Sequence, residues 1–331
     1  MKPKIYLRAD GNPEIGLGHV IRSLALAEML KEDFCCIFAT RFLTDYINME
    51  ARKVCEDIIE LPETEEHFEA FLSILSGGEI VVLDNYFFTT QYQQKIKDKG
   101  CKLVCIDDMH DKHFVADVVI NHAPSANPSN YSIEKYTTLC LGIKYVLLRS
   151  IFFSSSQNRE TQKEIKTFFV CFGGSDSYNL TQQTLEVLLR HNYTIYVVIG
   201  NANCNKIDLS AKYTQRHNVF LLHDLCAEEM FNVMQKSDMA IVPSSSVLLE
   251  AIATKMPVIT GYFADNQKEG CFYCVNHGLA LYVDMLHEYK TDLEKLLLSI
   301  DRSICDKLRT AQEGLINNPR SLYLDIFKKL I

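Results

Sequence analysis

The sequence predicts an α/β protein of two open, parallel-sheet domains in tandem. Three observations lead there. Strand-like and helix-like runs alternate along the whole chain, the pattern of an open α/β sheet. Strands such as "EIVVLD" and "KLVCID" are continuous apolar runs, as expected of parallel strands covered on both faces. A polar, serine-rich, aperiodic stretch, "SIFFSSSQNRETQKE", separates two such series.

The length of 331 residues suits two domains of ordinary size, and 47% apolar residues suffice for two cores. In the first half the strands are expected near 4–8, 34–40, 57–60, 80–84, 102–106, 117–121 and 145–148. Helical patterns lie at 19–31, 66–76 and 89–99. The second series has strands near 167–172, 195–199, 219–222, 239–242, 257–260 and 280–283. Its helices fit at 179–190, 227–236, 246–254 and 267–277. The expected domains are therefore 1–150 and 165–302, joined by a linker at 151–164. A helical segment at 303–331 is expected to pack back on the first domain.

Net charge is −8, which excludes nucleic acid or an anionic membrane as the main partner. No window approaches the roughly eighteen apolar residues of a membrane span. The start, "MKPKIYLRAD", lacks the apolar core of a signal peptide, so the cytoplasm is the expected location. The twelve cysteines lie inside apolar runs such as "FCCIFAT" and "FFVCFGG" and read as small buried hydrophobes. Cys271 and Cys274 form a CxxC without a second pair, so buried helix positions are expected rather than zinc or redox chemistry.

Ligands of open α/β sheets bind at the carboxyl ends of strands, so the loops after strands matter most. The first is "RADGNPEIGLGHV", with Asp10, Gly16, Gly18 and His19. Helical spacing of Val20, Leu24, Ala27 and Leu30 puts His19 in the first turn of a helix. The positive helix end disfavours an imidazolium there, and a neutral imidazole can act as a general base. The alternative is a histidine that only caps or packs. Ile21 occupies the third glycine position of GxGxxG, which disfavours a dinucleotide-binding dehydrogenase.

The second loop, "FGGSDSYNLT", runs from a buried strand through Gly174 and Ser175 to a helix that Asn179 or Ser177 could cap. Glycines, a hydroxyl and helix N–H groups suit a diphosphate. The third, "VPSSSVLLEA", brings Ser245 and Ser246 to another helix start, with Glu250 one turn later. A carboxylate there can accept from vicinal ribose hydroxyls. In the fourth, "GYFADNQKEG", Asp265 or Asn266 either caps a helix or, for Asn266, offers an amide to a sugar. In the first half "VVLDNYFF" ends a strand with Asp84 and Tyr86. The cluster Asp107, Asp108, His110 and His113 looks superficially metal-binding but has no zinc-motif spacing, and no metal is expected.

Taken together, "RADGNPEIGLGHVIRSLALAEML", "VVLDNY", "IDD", "DVVINH", "YVLLR", "GGSDSYNLT", "SSSVLLE" and "ADNQ" resemble, in order, the PseG family of UDP-sugar hydrolases. That family is related to spore-coat polysaccharide proteins and to MurG-type glycosyltransferases. The first motif and GGSD are the specific ones. The resemblance implies a GT-B fold, two Rossmann-like parallel-sheet domains facing a cleft, with UDP held mainly by the second. It implies that His19 is the base, that Tyr86 lies near the reacting sugar and that Asn266 belongs to the family's "NQ" pair with Gln267. Gly174 and Ser175 fall in the diphosphate region, and Glu250 contacts the nucleoside. Asp10, Gly16, Gly18, Arg149, Ser245 and Ser246 complete the expected binding set. Ser23, Pro243 and Leu249 depart from the family pattern, which often has cysteine, glycine-rich sequence and tryptophan there.

The implied substrate is UDP-2,4-diacetamido-2,4,6-trideoxy-β-L-altropyranose, on the way to pseudaminic acid. Water replaces UDP at the anomeric carbon with inversion, without metal or cofactor. A GT-B glycosyltransferase using a UDP-sugar donor is the nearest alternative. A nucleotide-sugar-binding regulator without turnover is the next. Beyond the UDP-sugar, no nucleic-acid or membrane partner is expected; the oligomeric state is not legible in the sequence, and a monomer is the expectation.

Overall fold

A computed structural model of the chain describes residues 2–12, 16–154, 164–174, 176–200 and 203–331. It divides into two compact units, one of Met1–Ser150 with Asn318–Ile331 and one of Ile151–Asn317. The sequence-derived linker, 151–164, falls largely outside the described residues, as does Ser175.

In the first unit, β1 (Lys4–Ala9) leads into α1 (Gly18–Leu30), then β2 (Cys35–Thr40), α2 (Asp45–Arg52), β3 (Asp57–Glu60) and α3 (His67–Ile74). There follow β4 (Ile80–Asp84), α4 (Thr90–Asp98), β5 (Lys102–Ile106), β6 (His113–Phe114), β7 (Val118–Asn121), β8 (Ser132–Ile133) and β9 (Thr138–Leu141). Among the described residues these form a seven-stranded sheet in the order β3-β2-β1-β4-β5-β7-β9, with β6 and β8 as a separate short pair. Every pairing is parallel. The order reverses direction between β1 and β4, so this is the switch point where loops after strands part and leave a crevice. A buried cluster joins Tyr6, Val81 and Leu103 of the strands to Phe71 of α3 and Ile96 of α4.

The second unit repeats the plan. Its elements are β10 (Thr167–Cys171), α5 (Leu180–Leu188), β11 (Thr194–Ile199), α6 (Lys206–Tyr213), β12 (Val219–His223), α7 (Ala227–Lys236) and β13 (Met239–Pro243). Then come α8 (Ser246–Ala253), β14 (Val258–Gly261), α9 (Asp265–Asn276), β15 (Leu281–Tyr282), α10 (Tyr289–Ser299) and α11 (Arg302–Gln312). The six strands run β12-β11-β10-β13-β14-β15, again parallel, with the switch point between β10 and β13.

The segment 303–331 is not one helix. After α11 the chain turns at Gly314, which has φ +69°, and resumes as α12 (Arg320–Lys328). α12 lies against α1 within the first unit. Arg320 and Lys328 pair with Asp33 at 3.2 and 2.9 Å, and Phe327 meets Phe34 edge-on at 6.1 Å.

The strand expected at 145–148 is absent. A 3-10 turn takes Ile143–Tyr145, and the edge strand is the preceding Thr138–Leu141. Val146, Leu147 and Leu148 are buried without being paired, so apolarity alone misread them. Helices α2, α6 and α10 carried no expectation, and β15 is two residues long where four were expected. Among the described residues no helix is long and apolar enough to cross a membrane.

Candidate active site

Four elements meet at the switch point of the first sheet. The loop after β1 delivers His19 on the opening turn of α1. β4 ends on Asp84, with Tyr86 two residues beyond. β5 is followed by Asp107 and Asp108. Gly16 holds φ +81°, the left-handed conformation that lets this loop fold back to pair its N–H with the Asn12 carbonyl at 2.8 Å.

His19 does not cap the helix: α1 starts without a side-chain cap. Its Nδ1 lies 2.7 Å from Asp84 Oδ1. Arg22 Nη2 lies 3.1 Å from the same nitrogen. A guanidinium only donates, so it could bond Nδ1 only if that nitrogen were bare; two bare acceptors would then face each other across 2.7 Å. The consistent assignment is that Nδ1–H donates to Asp84. Nε2 then carries a lone pair and has no hydrogen-bond partner among the described residues. The Tyr86 ring stands edge-on to the imidazole at 4.8 Å between centroids. His19 is buried, whereas Tyr86 is 41% exposed, so the tyrosine forms the outer wall.

Asp84 is fully buried and heavily bonded. Arg22 grips it with two N–H groups, Nε to Oδ2 at 2.7 Å and Nη2 to Oδ1 at 2.5 Å, and the Ser23 hydroxyl adds a contact at 3.2 Å. Arg22 Nη1 also reaches Asp108 at 3.0 Å. Burial opposes charge on Asp84, but Arg22 and His19 more than offset it and hold the carboxyl below its usual range. Burial likewise opposes the charge on Arg22, and the two carboxylates more than restore it. Partial burial and the neighbouring Asp108 carboxylate push the Tyr86 phenol well up, so it stays protonated. His122, beyond β7, is neutral: burial and then Arg22 depress it to about 4, and its Nδ1 accepts from Leu147 N–H at 2.9 Å.

Asp10 is beside this cluster but already saturated. Arg8 donates to both its oxygens at 2.5 and 2.9 Å, Arg41 adds its backbone N–H at 2.8 Å and Nε at 2.7 Å, and Thr40 a hydroxyl at 3.3 Å. Its own N–H donates to Asn85 at 2.7 Å, tying β1 to the loop that carries Tyr86. Asp107 is likewise a local brace, accepting from the backbones of Met109 and His110 at 3.1 and 2.6 Å. Arg149 is half-buried at the end of the first unit.

The switch point of the second sheet is built differently. Gly173 and Gly174 form an exposed turn after β10, with Gly173 at φ +77°. Gly200 after β11 packs onto it so tightly that a Cβ would meet Gly174 Cα at 2.6 Å. The cap of α5 is neither Asn179 nor Ser177. Asn179 is left-handed, φ 53°, with no capping bond, and Asp176 accepts from Leu180 and Thr181 N–H at 2.8 and 3.0 Å. A buried carboxylate therefore fills the α5 N-terminus, where an anion was expected to sit.

α8 differs. Ser245 at its N-cap is exposed and makes no side-chain capping bond, and Ser246 opens the helix half-buried. Glu250 lies one turn further and is buried. At α9, Asn266 is exposed, while Gln267 accepts from Phe263 N–H at 3.1 Å and braces the helix start. Cys271 and Cys274 are fully buried on α9, their thiols pushed up to about 11 and about 12 by burial.

Thus His19 and Tyr86 come together in the first unit. Gly174, Ser245, Ser246, Glu250, Asn266 and Gln267 all belong to the second unit, at or near the carboxyl ends of β10, β13 and β14. Arg22, Asp84 and Asp108 were not among the expected site residues. Asp84 closing an apolar run, and Arg22 three residues after His19 on one helix face, were the available signals.

No family model matches the sequence. Three proteins are similar to it in sequence. An uncharacterized protein of Methanocaldococcus jannaschii is 26% identical over 80% of this chain, which spans 57% of that longer protein. The UDP-2,4-diacetamido-2,4,6-trideoxy-beta-L-altropyranose hydrolase of Campylobacter jejuni is 27% identical over 83% of this chain and 97% of its own. The spore coat polysaccharide biosynthesis protein SpsG of Bacillus subtilis is 24% identical over 82% and 81%. Among solved structures, MurG of Acinetobacter baumannii superposes with a TM-score of 0.66 at 13% identity, covering 99% of each chain. A UDP-glucosyltransferase of Polygonum tinctorium gives 0.68 at 11% identity, covering 100% of this chain and 99% of that one. The structural likeness establishes the fold: two Rossmann-like parallel-sheet units of the GT-B type. In sequence the chain is similar to the Campylobacter jejuni hydrolase and to SpsG.

Proposed function

We propose that the chain is a nucleotide-sugar hydrolase that cleaves a UDP-activated 2,4-diacetamido-2,4,6-trideoxy sugar, with inversion, releasing UDP and the free sugar toward pseudaminic acid. Nucleotide-sugar processing is supported by the hydrolase relative together with the GT-B fold. The observation that carries the step itself is the His19–Asp84 pair at 2.7 Å, with Nε2 free of hydrogen bonds among the described residues and the ring beside Tyr86.

In this reading His19 Nε2 takes a proton from water as the water oxygen bonds to the anomeric carbon. The bond from that carbon to the UDP oxygen breaks, and its electron pair leaves with the diphosphate. Asp84 holds the ring by Nδ1–H and faces the imidazolium that forms. Diphosphate is a good leaving group, so no added acid is required. Donors suited to a diphosphate stand in the second unit, at the Gly174 turn and at the start of α8 with the Ser245 and Ser246 hydroxyls. Glu250 serves the ribose hydroxyls, and Asn266 a polar group of the sugar. Asp10 braces the loops around His19 rather than touching substrate, because its carboxylate is already fully bonded, while Gly16 and Gly18 leave room for substrate along the His19 loop.

The test is hydrolysis in oxygen-18 water without an acceptor. Label in the free sugar and none in UDP is the expected result. Label in UDP phosphate means cleavage at phosphorus and a different enzyme. Turnover only after an acceptor alcohol is added means a glycosyltransferase.

A further inference from the structure

The base reading leaves the best-connected side chain of the cluster without a role. Arg22 is 7% exposed and joins three elements at once. From α1 it forks onto Asp84 at the end of β4, and its third nitrogen reaches Asp108, beyond the end of β5, at 3.0 Å. A planar guanidinium fixes a carboxylate in orientation as well as position, which an ammonium cannot do. Asp84 is the group that receives the His19 Nδ1–H. Held by the fork, it cannot turn its oxygens away from the imidazole.

The charges fit the same purpose. One guanidinium faces two carboxylates, so Asp108 balances Arg22 and leaves the charge of Asp84 facing His19. Without Asp108 the Arg22 charge would oppose a proton arriving on the ring. Without Arg22 two carboxylates would lie close together, one fully buried and held only by His19 and Ser23. The neutral imidazole has two tautomers, and the hydrogen bond made by one nitrogen selects which nitrogen stays bare.

We propose that Arg22 is a positioning residue. Anchored on Asp108, it locks the Asp84 carboxylate so that His19 keeps its hydrogen on Nδ1 and presents a bare Nε2. The catalytic consequence rests on the reading of His19 as the base; the tautomer lock does not.

The test labels the histidine rings with nitrogen-15 and assigns His19 by its loss in His19→Gln. Wild type should show Nδ1 protonated and Nε2 bare. In Arg22→Met the two ring nitrogens should move toward averaged shifts, and kcat should fall on the order of 100-fold, as expected for a misplaced base, with little change in KM. Arg22→Lys should restore part of both signals. Asp108→Asn should move both in the same direction by less. If Arg22→Met fails to fold, Arg22→Lys and Asp108→Asn carry the comparison with wild type. An unchanged Nδ1–H signature in the folded variants overturns the proposal, even if kcat falls. A shifted tautomer in a protein that releases no sugar from the UDP-sugar sustains the lock and overturns the function reading instead.

Discussion

The two sheets share a strand order, and the turns at their switch points carry opposite chemistry. In the first unit the crevice end is lined with buried charge: Arg22, Asp84, Asp108 and a histidine in one hydrogen-bonded set. In the second the corresponding loops offer an exposed glycine turn and serine hydroxyls at the open start of α8. The same topology thus hosts two tasks. Fixed charges in a buried site can hold and move a proton; neutral donors around a helix start can receive an anion without a competing carboxylate. α5 marks the limit of the analogy, because Asp176 already occupies its N-terminus.

The sharpest way to break this contrast is to remove the buried anion. Asp84→Ala leaves Arg22 buried with only Asp108, and breaking such a pair costs about 3–5 kcal/mol. Urea unfolding should show that loss in the first unit. A loss under 1 kcal/mol would mean the charge network is not part of the fold.

A second, smaller effect concerns pH. His122 is held to about 4 in the fold, chiefly by burial, against 6.5 for the ordinary group. Between those values the unfolded chain binds the extra proton, so the contribution is fully present above about pH 6.5 and lost as pH falls toward 4. The full shift corresponds to roughly 3 kcal/mol. Unfolding midpoints measured from pH 7 to 4 should fall in wild type and fall less in His122→Asn. Parallel slopes would place the sensitivity elsewhere, for instance at His67, which burial and Arg8 also hold to about 4.

The smallest effect belongs to the second unit. Ser246→Ala removes one neutral hydroxyl at the α8 start and should weaken UDP binding by roughly 3- to 10-fold, the worth of one such hydrogen bond. Calorimetric titration with UDP measures it, and unchanged affinity would remove Ser246 from the diphosphate site.

These contrasts also explain what could be read from the sequence. Continuous apolar strands such as Ile80–Asp84 and Thr167–Cys171 announce themselves, because burial on both faces leaves polar residues only at their ends. Short elements do not. Asp45–Arg52 and Lys206–Tyr213 span barely two helical turns and carry too little period to detect. Val146, Leu147 and Leu148 are as apolar as a strand yet enter no strand pairing among the described residues. At the site, His19 was legible because a glycine loop and a helix flank it. The importance of Arg22 and Asp108 was not, because it arises from ion pairs between residues 62 and 86 positions apart. The cap of α5 was misassigned for a local reason: a left-handed Asn179 let Asp176 reach the helix start from further back.

The division of labour itself is tested most directly by His19→Ala, with turnover of the UDP-sugar and affinity for UDP measured on the same preparation. Removing a general base should lower kcat about 100- to 10,000-fold. The dissociation constant for UDP should stay within twofold of wild type. Loss of UDP binding in step with turnover would contradict the account and make His19 part of the nucleotide site.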